Sequence, residues 1–526
     1  MKNKRLSTAL QTSFGLLLAL SAASTECWAV TRNFDGGPTG LGDDFHTGVN
    51  WTTDLVPTMA DYGIIQDNKT AVFSSGSTTV QGLTIGNDSF GRLMMTGGSL
   101  TTTNAIEALE VGRERFPRGK NGDYNNNGFV EGNDFLLWQR TLGQEVLNAG
   151  DGADGDENGF VDEGDLNYWK ERFGLATKGG EVILTGSSTL TANGAVIGRR
   201  TKGLLTVGPQ ALVDLKGANF EGGTVRRKDL EVGAYGPAYI ASTTEPGLDA
   251  DGLVIIEGTV LANDLTVNVF GAQGEVRVLP GGRLKLNGAL VLSYFDTQFF
   301  PSGGGLIANP QPLMSAKMSI VGSGGTIEVG RHDPLLSPPA NQVHEPLLRR
   351  DFRSEFPGDV TLSFTADAGG VTPIVLVDNS IAFPGELTGT AYLSGTVGRV
   401  AGTNAGINLE LNLDAYTGSS PLTLVDAPTD PSPGGTPSAH LVGVFGSVTF
   451  LGSRTATVNY DYLNGNVFLN NFQNATVTGT LASSAVPEPS ALAMMTLTLG
   501  LLLCNSVRQR NGGRPDRHAS RGRPLT

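Results

Sequence analysis

Apolar and polar positions alternate in short runs bounded by glycine through residues 80–295. The runs 91–97, 180–186, 203–208, 252–258 and 274–281 each open and close on Gly and hold four to six mostly apolar residues between. Between them fall shorter phrases at 83–86, 109–112, 195–198 and 230–233, each ending in Gly after a Val or Ile. Strict alternation is the mark of a half-buried strand, and short strands with glycine corners at roughly twenty-residue intervals predict a coil that repeats. Each coil would bury its apolar side against its neighbours. The expected fold is mainly β, a parallel β-helix or solenoid, with a hairpin-rich β-sandwich as the alternative.

The same texture returns at 360–474. In 407–413 Ile and Leu alternate with Asn and Glu, so one face is apolar and the other wet. Two Pro- and Gly-rich stretches, 301–312 and 331–357, separate this region from the first and are expected to be exposed connections. The expectation is therefore a solenoid over 30–117 and 179–295, followed at 296–483 by a C-terminal β domain that is either a sandwich or the continued solenoid. Asn50, Trp51, Val56, Pro57 and Asp61 precede the first repeat and look like an opening cap.

One segment, 118–178, breaks the pattern. It holds two twelve-residue acidic loops, 123–134 and 154–165. Oxygen-bearing side chains stand at loop positions 1, 3, 5, 9 and 12: Asp123, Asn125, Asn127, Glu131 and Asp134 in the first, Asp154, Asp156, Asn158, Asp162 and Asp165 in the second. Phe129 and Phe160 hold position 7, where the backbone carbonyl serves, and Gly128 and Gly159 hold position 6, where the chain must turn sharply. A hard cation that takes six to eight oxygens wants this donor set, so two Ca2+ ions are expected. After each loop the chain predicts a helix of about ten residues, from Asp134 to Gly143 and from Asp165 to Gly174, each closed by a C-cap glycine.

The duplicated loop-helix unit, with Asp at position 12 and no helix ahead of either loop, resembles a type I dockerin, an EF-hand-like calcium repeat pair. That resemblance implies a small α-helical module, folded by calcium, that docks into a cohesin-like partner. It places partner contact at loop positions 10 and 11, here Gly132-Asn133 and Glu163-Gly164, and on the following helix. A structural staple is the other use of such a pair, because metal binding can fold a small module outright. The module lies between a phrase ending at Gly112 and one opening at Gly180, so it reads as spliced between successive coils.

The net charge of −14 excludes a nucleic-acid partner and favours divalent cations. Much of it is local, since 123–165 carries eleven acidic residues against Arg140 alone. The ends of the chain read as addresses. Residues 1–29 run from Lys2, Lys4 and Arg5 through an apolar stretch to Cys27-Trp28-Ala29, the order of a signal peptide. Residues 484–512 run from Pro487-Glu488-Pro489 through the apolar 491–507 to Arg508 and Arg510, with a basic tail at 513–526. This resembles a PEP-CTERM sorting signal, which implies an exosortase-type processing enzyme and delivery to the outer membrane, cell surface or extracellular matrix, with a C-terminal membrane helix. Cys27 and Cys504 both lie in these terminal segments, so no disulfide is expected in the body.

No catalytic signature is present. His46, His332, His344, His440 and His518 are scattered, and no nucleophile elbow, phosphate loop or dinucleotide fingerprint occurs. The leading expectation is a non-enzymatic exported surface or matrix protein with a calcium-folded docking or stapling insert. The alternative is a secreted polysaccharide-active lyase or glycoside hydrolase, whose paired carboxylates would converge only in space.

Overall fold

The computed structural model describes residues 30–87, 89–104, 108–113, 122–125, 129–147, 152–156, 158–174, 178–215, 229–234, 251–269, 272–294, 315–330, 348–349, 359–377, 391–393, 406–427, 441–462 and 464–474. The terminal segments 1–29 and 475–526, and the connections 301–312 and 331–347, lie outside them. Among the described residues no helix is long and apolar enough to cross a membrane.

Among the described residues three sheets of eleven, ten and eleven strands run side by side, and the chain visits them in rotation. One circuit shows the pattern. The chain passes through Ala195–Arg199 in sheet 1, Lys202–Val207 in sheet 2 and Leu212–Asp214 in sheet 3, then returns to sheet 1 at Asp229–Ala234. Neighbouring strands within each sheet are parallel, in register from coil to coil. This is a parallel β-helix.

Alternation becomes inside and outside. In sheet 2 the aligned positions Leu93, Val182, Leu205, Val254, Val276, Met318, Leu362 and Leu409 form one inward column. All eight are fully buried. Each such side chain contributes about 1.5–3 kcal/mol through the area it removes from water. Among the described residues the column ends at Val448, which pairs with Leu409 but is 38% exposed, no further described strand of sheet 2 covering it. Met318→Ala should cost about 2–5 kcal/mol. Because a solenoid coil touches chiefly its neighbours, hydrogen exchange should accelerate most in Gln273–Val278, Ala316–Val321 and Val360–Thr365.

The glycines mark the corner between sheets 1 and 2. Gly86, Gly112, Gly198 and Gly233 stand at the ends of sheet 1 strands with φ between +69° and +77°. A Cβ at Gly233 would stand 2.0 Å from the Gln273 carbonyl oxygen of the next coil. The facing positions that open sheet 2 strands, Gly91, Gly180, Gly203, Gly252 and Gly274, lie in one ladder, so backbone meets backbone at this corner. Later coils relax the rule: Asn268 and Ser293 take the same left-handed turn, and Ala316 and Val360 continue the ladder.

The described strands of 316–450 add to the same three sheets, so of the two expectations for this region the continued solenoid, not the sandwich, describes them. The reason is visible in register: Ala316–Val321 pairs along its length with Val360–Thr365, which pairs in turn with Asn408–Asn412. The long connections are excursions between coils. The only described antiparallel ladders in the sheets are at the end, where the hairpin Arg454–Asp461 and Asn466–Asn474 closes sheet 3 against Leu422–Asp426.

At the other end an aromatic cap covers the first coils. Phe34 and Phe45 meet Trp51 edge to face at 5.1 and 5.0 Å, Phe45 meets Phe73 at 5.2 Å, and the Trp51 indole donates to the Phe45 carbonyl at 2.7 Å. Asp61 ties the cap down through Arg32 at 3.1 Å and the Thr58 hydroxyl and amide at 2.7 and 2.9 Å. Burial alone would raise the Asp61 carboxyl, but the Thr58 hydrogen bonds and Arg32 outweigh it and hold it below the usual range. A depressed acid stabilises the fold above its unfolded value and loses that contribution as pH falls through the folded one. The cap is thus expected to loosen in acid, and Asp61→Asn should remove that part of the acid dependence in a pH series of thermal melts.

Candidate metal centre

The insert leaves the solenoid after Gly112 and returns at Gly179, at the corner between sheets 1 and 2. The sheets do not register the interruption: Gly91 pairs with Gly180 and Leu109 with Ala195, as in coils that follow directly. Its root is tied. Glu110, nearly buried on the outer side of sheet 1, accepts from Arg113 at 2.5 Å and also from Arg199, and Arg113 bridges to Arg200 on the adjacent corner.

Two helices follow the loops, α1 (Gly132–Thr141) and α2 (Glu163–Arg172), each starting two residues ahead of the expected Asp. That offset arises because the position-12 carboxylates, Asp134 and Asp165, act as the third helical residue and bond back to the residue before the helix. The pattern repeats between the loops. Asp134 accepts from the Asn125 and Glu131 amides at 2.9 and 2.7 Å, and Asp165 from the Asp156 and Asp162 amides at 2.9 and 2.7 Å. Both helices end on a left-handed glycine, Gly143 at φ +82° and Gly174 at φ +83°, as the sequence predicts. Gly159 turns at φ +91° at loop position 6.

The halves interlock. The Trp138 indole donates to the Asp162 carbonyl at 2.7 Å and the Trp169 indole to the Glu131 carbonyl at 2.8 Å, so each helix holds position 9 of the other loop. Gly143 donates to Val161 and Gly174 to Val130, both position 8 of the opposite loop. Tyr124, Trp138, Ala153 and Val161 form a separate small core with Phe135, Leu137, Val146, Leu166 and Trp169 packed on it. Trp138→Phe should cost about 1 kcal/mol, the usual net worth of one such hydrogen bond, read in the chelator or thermal midpoint of the insert.

Within this frame the second loop gathers its acids. Carboxylate oxygens of Asp154, Asp156 and Asp165 all lie within 4.8 Å of one another. Asp162 joins them through the Asn158 amide, which donates to Asp156 at 3.1 Å and Asp162 at 3.0 Å. The Asp154 carboxylate accepts from the Asn158 and Gly159 amides. In the first loop Asp123 is buried and its charge acts on Asp134; Asn125, Glu131 and Phe129 are placed, and Asn127 and Gly128 lie outside the described residues. Burial pushes the Asp134 and Asp165 carboxyls up, Asp123 and Asp156 adding like charge, with backbone amides offsetting part of it. Burial with the same two carboxylates also pushes the Tyr124 hydroxyl up. Carboxylates buried this close repel one another unless a cation lies among them. All-oxygen donors of this number suit a hard divalent ion, so the residues present fit calcium.

The sequence did not signal how the insert meets the solenoid. Lys202, at the next sheet 2 corner, places its ammonium 5.3 Å from the centre of the Phe129 ring. Nor was the reciprocal use of the two tryptophans expected, although their matched spacing after each loop was the available clue.

The chain defined by this fold and site is a parallel β-helix carrying an interlocked pair of acidic loops. It matches no protein-family model, no curated protein and no solved structure.

Proposed function

We propose that this is an exported cell-surface or matrix protein, not an enzyme, whose β-helix displays a calcium-folded, dockerin-like module for docking a cohesin-like protein. The observation that carries the reading is the duplicated loop-helix pair, tied position for position and projecting from a coil whose register it leaves undisturbed. The positions that the dockerin resemblance assigns to partner contact are available for it: Gly132, Asn133 and Glu163 are exposed at the first turns of α1 and α2. A module that served only as a staple would need no such open helix starts. The signal-peptide and sorting-signal resemblances of the two ends supply the location.

The polysaccharide-active reading has one observation in its favour, a charged cluster on the outer face of sheet 2. Glu275 pairs with Arg277 at 2.8 Å and accepts from Ser319 at 3.0 Å, and Lys317 pairs with Glu410 at 2.6 Å. A general acid needs a carboxyl raised towards neutrality. Burial would raise Glu275, but Arg277, Ser319 and Lys317 outweigh it and hold it low. Among the described residues the carboxyls pushed up are Asp134 and Asp165, in the insert. The cluster therefore reads as ion pairing within one strand, at Glu275 and Arg277, and between coils, at Lys317 and Glu410.

The test is calorimetric titration of the full chain with calcium, followed by capture from envelope and secreted fractions with and without chelator. Two calcium equivalents and a partner retained only in calcium support the reading. Calcium uptake without any calcium-dependent partner would leave the staple, and no uptake would overturn both.

A further inference from the structure

We infer that the two loops of the insert have different tasks: the first braces the module against the β-helix, and the second faces outward. The inference rests on the calcium reading above. Within the module the indole bonds to Glu131 and Asp162 and the glycine bonds to Val130 and Val161 relate the two loops reciprocally, while the Tyr124 hydroxyl bond to the Asp165 carbonyl has no counterpart because Gly155 stands at the matching position. The solenoid distinguishes the loops further. Phe129, at position 7 of the first loop, and its counterpart Phe160 are equally exposed, at 49% and 51%, but Phe129 lies against the Lys202 ammonium whereas Phe160 meets no cation among the described residues.

Position 7 makes this a link between ion and orientation. Its carbonyl is the backbone ligand of such a loop, and its side chain projects the other way from the same residue. Fixing the Phe129 carbonyl on calcium fixes where its ring stands, and the ring stands on Lys202, two residues past Arg200, which bridges to the root of the insert at Arg113. Calcium in the first loop would therefore hold the whole module at a set angle to the solenoid. The exposed Phe160 side then belongs to whatever partner the module meets.

The test is a pair of spin labels on the full chain, with Cys27 and Cys504 changed to Ser, at Gln139→Cys on α1 and Ser75→Cys on the solenoid, both exposed positions. Double electron-electron resonance reports their separation, and Trp138 and Trp169 emission reports folding of the module. Phe129→Ala and Lys202→Ala keep every proposed ligand, as does Phe160→Ala. In calcium the parent should give one narrow distance. Phe129→Ala and Lys202→Ala should add a second, broader component, the braced-to-free ratio falling roughly two- to fivefold, as loss of one exposed cation–π contact predicts. Phe160→Ala should leave the distance unchanged. Unchanged distances in Phe129→Ala and Lys202→Ala, with the tryptophan response to calcium intact, would overturn the brace alone; equal broadening by Phe160→Ala would do the same. A parent whose tryptophan emission ignores calcium would remove the calcium reading, and the brace with it.

Discussion

Asp134→Ala combined with Asp165→Ala is expected to unfold residues 122–174 and leave the β-helix standing. Each carboxylate closes its loop by accepting two backbone amides at 2.7–2.9 Å, and each sits fully buried. Leaving such amides without partners costs about 1–3 kcal/mol apiece. The small core around Trp138 is too slight to absorb that loss, and the proposed ions would lose a ligand in both loops. The readout is loss of the calcium-dependent tryptophan signal with far-ultraviolet β structure retained; parallel loss of the β signal would show that insert and solenoid form one cooperative unit. Acid gives the same question a sign. An acid raised in the fold costs stability above its unfolded value, and the cost fades as pH falls towards and below it. With chelator the insert should be better ordered near about pH 4 than about pH 7. With calcium the order should invert, because protons then compete with the ion.

Gly233→Val is expected to be among the most damaging single substitutions in the solenoid. It forces a β-branched residue to φ +69° and drives a methyl-bearing carbon to within 2.0 Å of the Gln273 carbonyl oxygen. Strain of that kind with a backbone clash should exceed about 4 kcal/mol. Gly132→Ala, with nothing within 4 Å of the added carbon, is the neutral control. Exchange should accelerate in Asp229–Ala234 and Gln273–Val278 and scarcely change in the coils at either end. A uniform loss of protection would mean that the helix melts as a whole.

These two sites also show what could be read from the chain. Alternation in short runs carries the coil because one period of two has one dry face, and Gly86, Gly112, Gly198 and Gly233 announced the corner because their left-handed turn admits few other residues. Where the rule relaxes, at Asn268 and Ser293, the punctuation fades, and the chain looked as though a new domain began after 295. Long excursions between coils hid the repeat further, since sequence separation says nothing about which strand lies alongside. The acidic loops were legible because their oxygen donors recur at the same positions within two twelve-residue stretches. The Phe129 contact with Lys202 was not, because it joins two side chains 73 positions apart that carry no local pattern.

The uninterrupted register around the insert bears on how the chain acquires its fold. Before Gly180 can take its place beside Gly91, the backbone must close from Arg113 to Gly179, across 66 positions, whereas the next corner between the same two sheets closes across three, from Arg199 to Lys202. The entropy of ends meeting grows with the logarithm of the loop, so a slack insert sets back growth of the coil stack by roughly 2–3 kcal/mol at this one step. An insert already knotted about its ions shortens that span to the gap between its two tethers. Under the proposed calcium-folded reading, calcium concentration during folding would then govern the rate at which later coils are laid on earlier ones, and an ion held in a side module would time the assembly of a β-helix it does not touch.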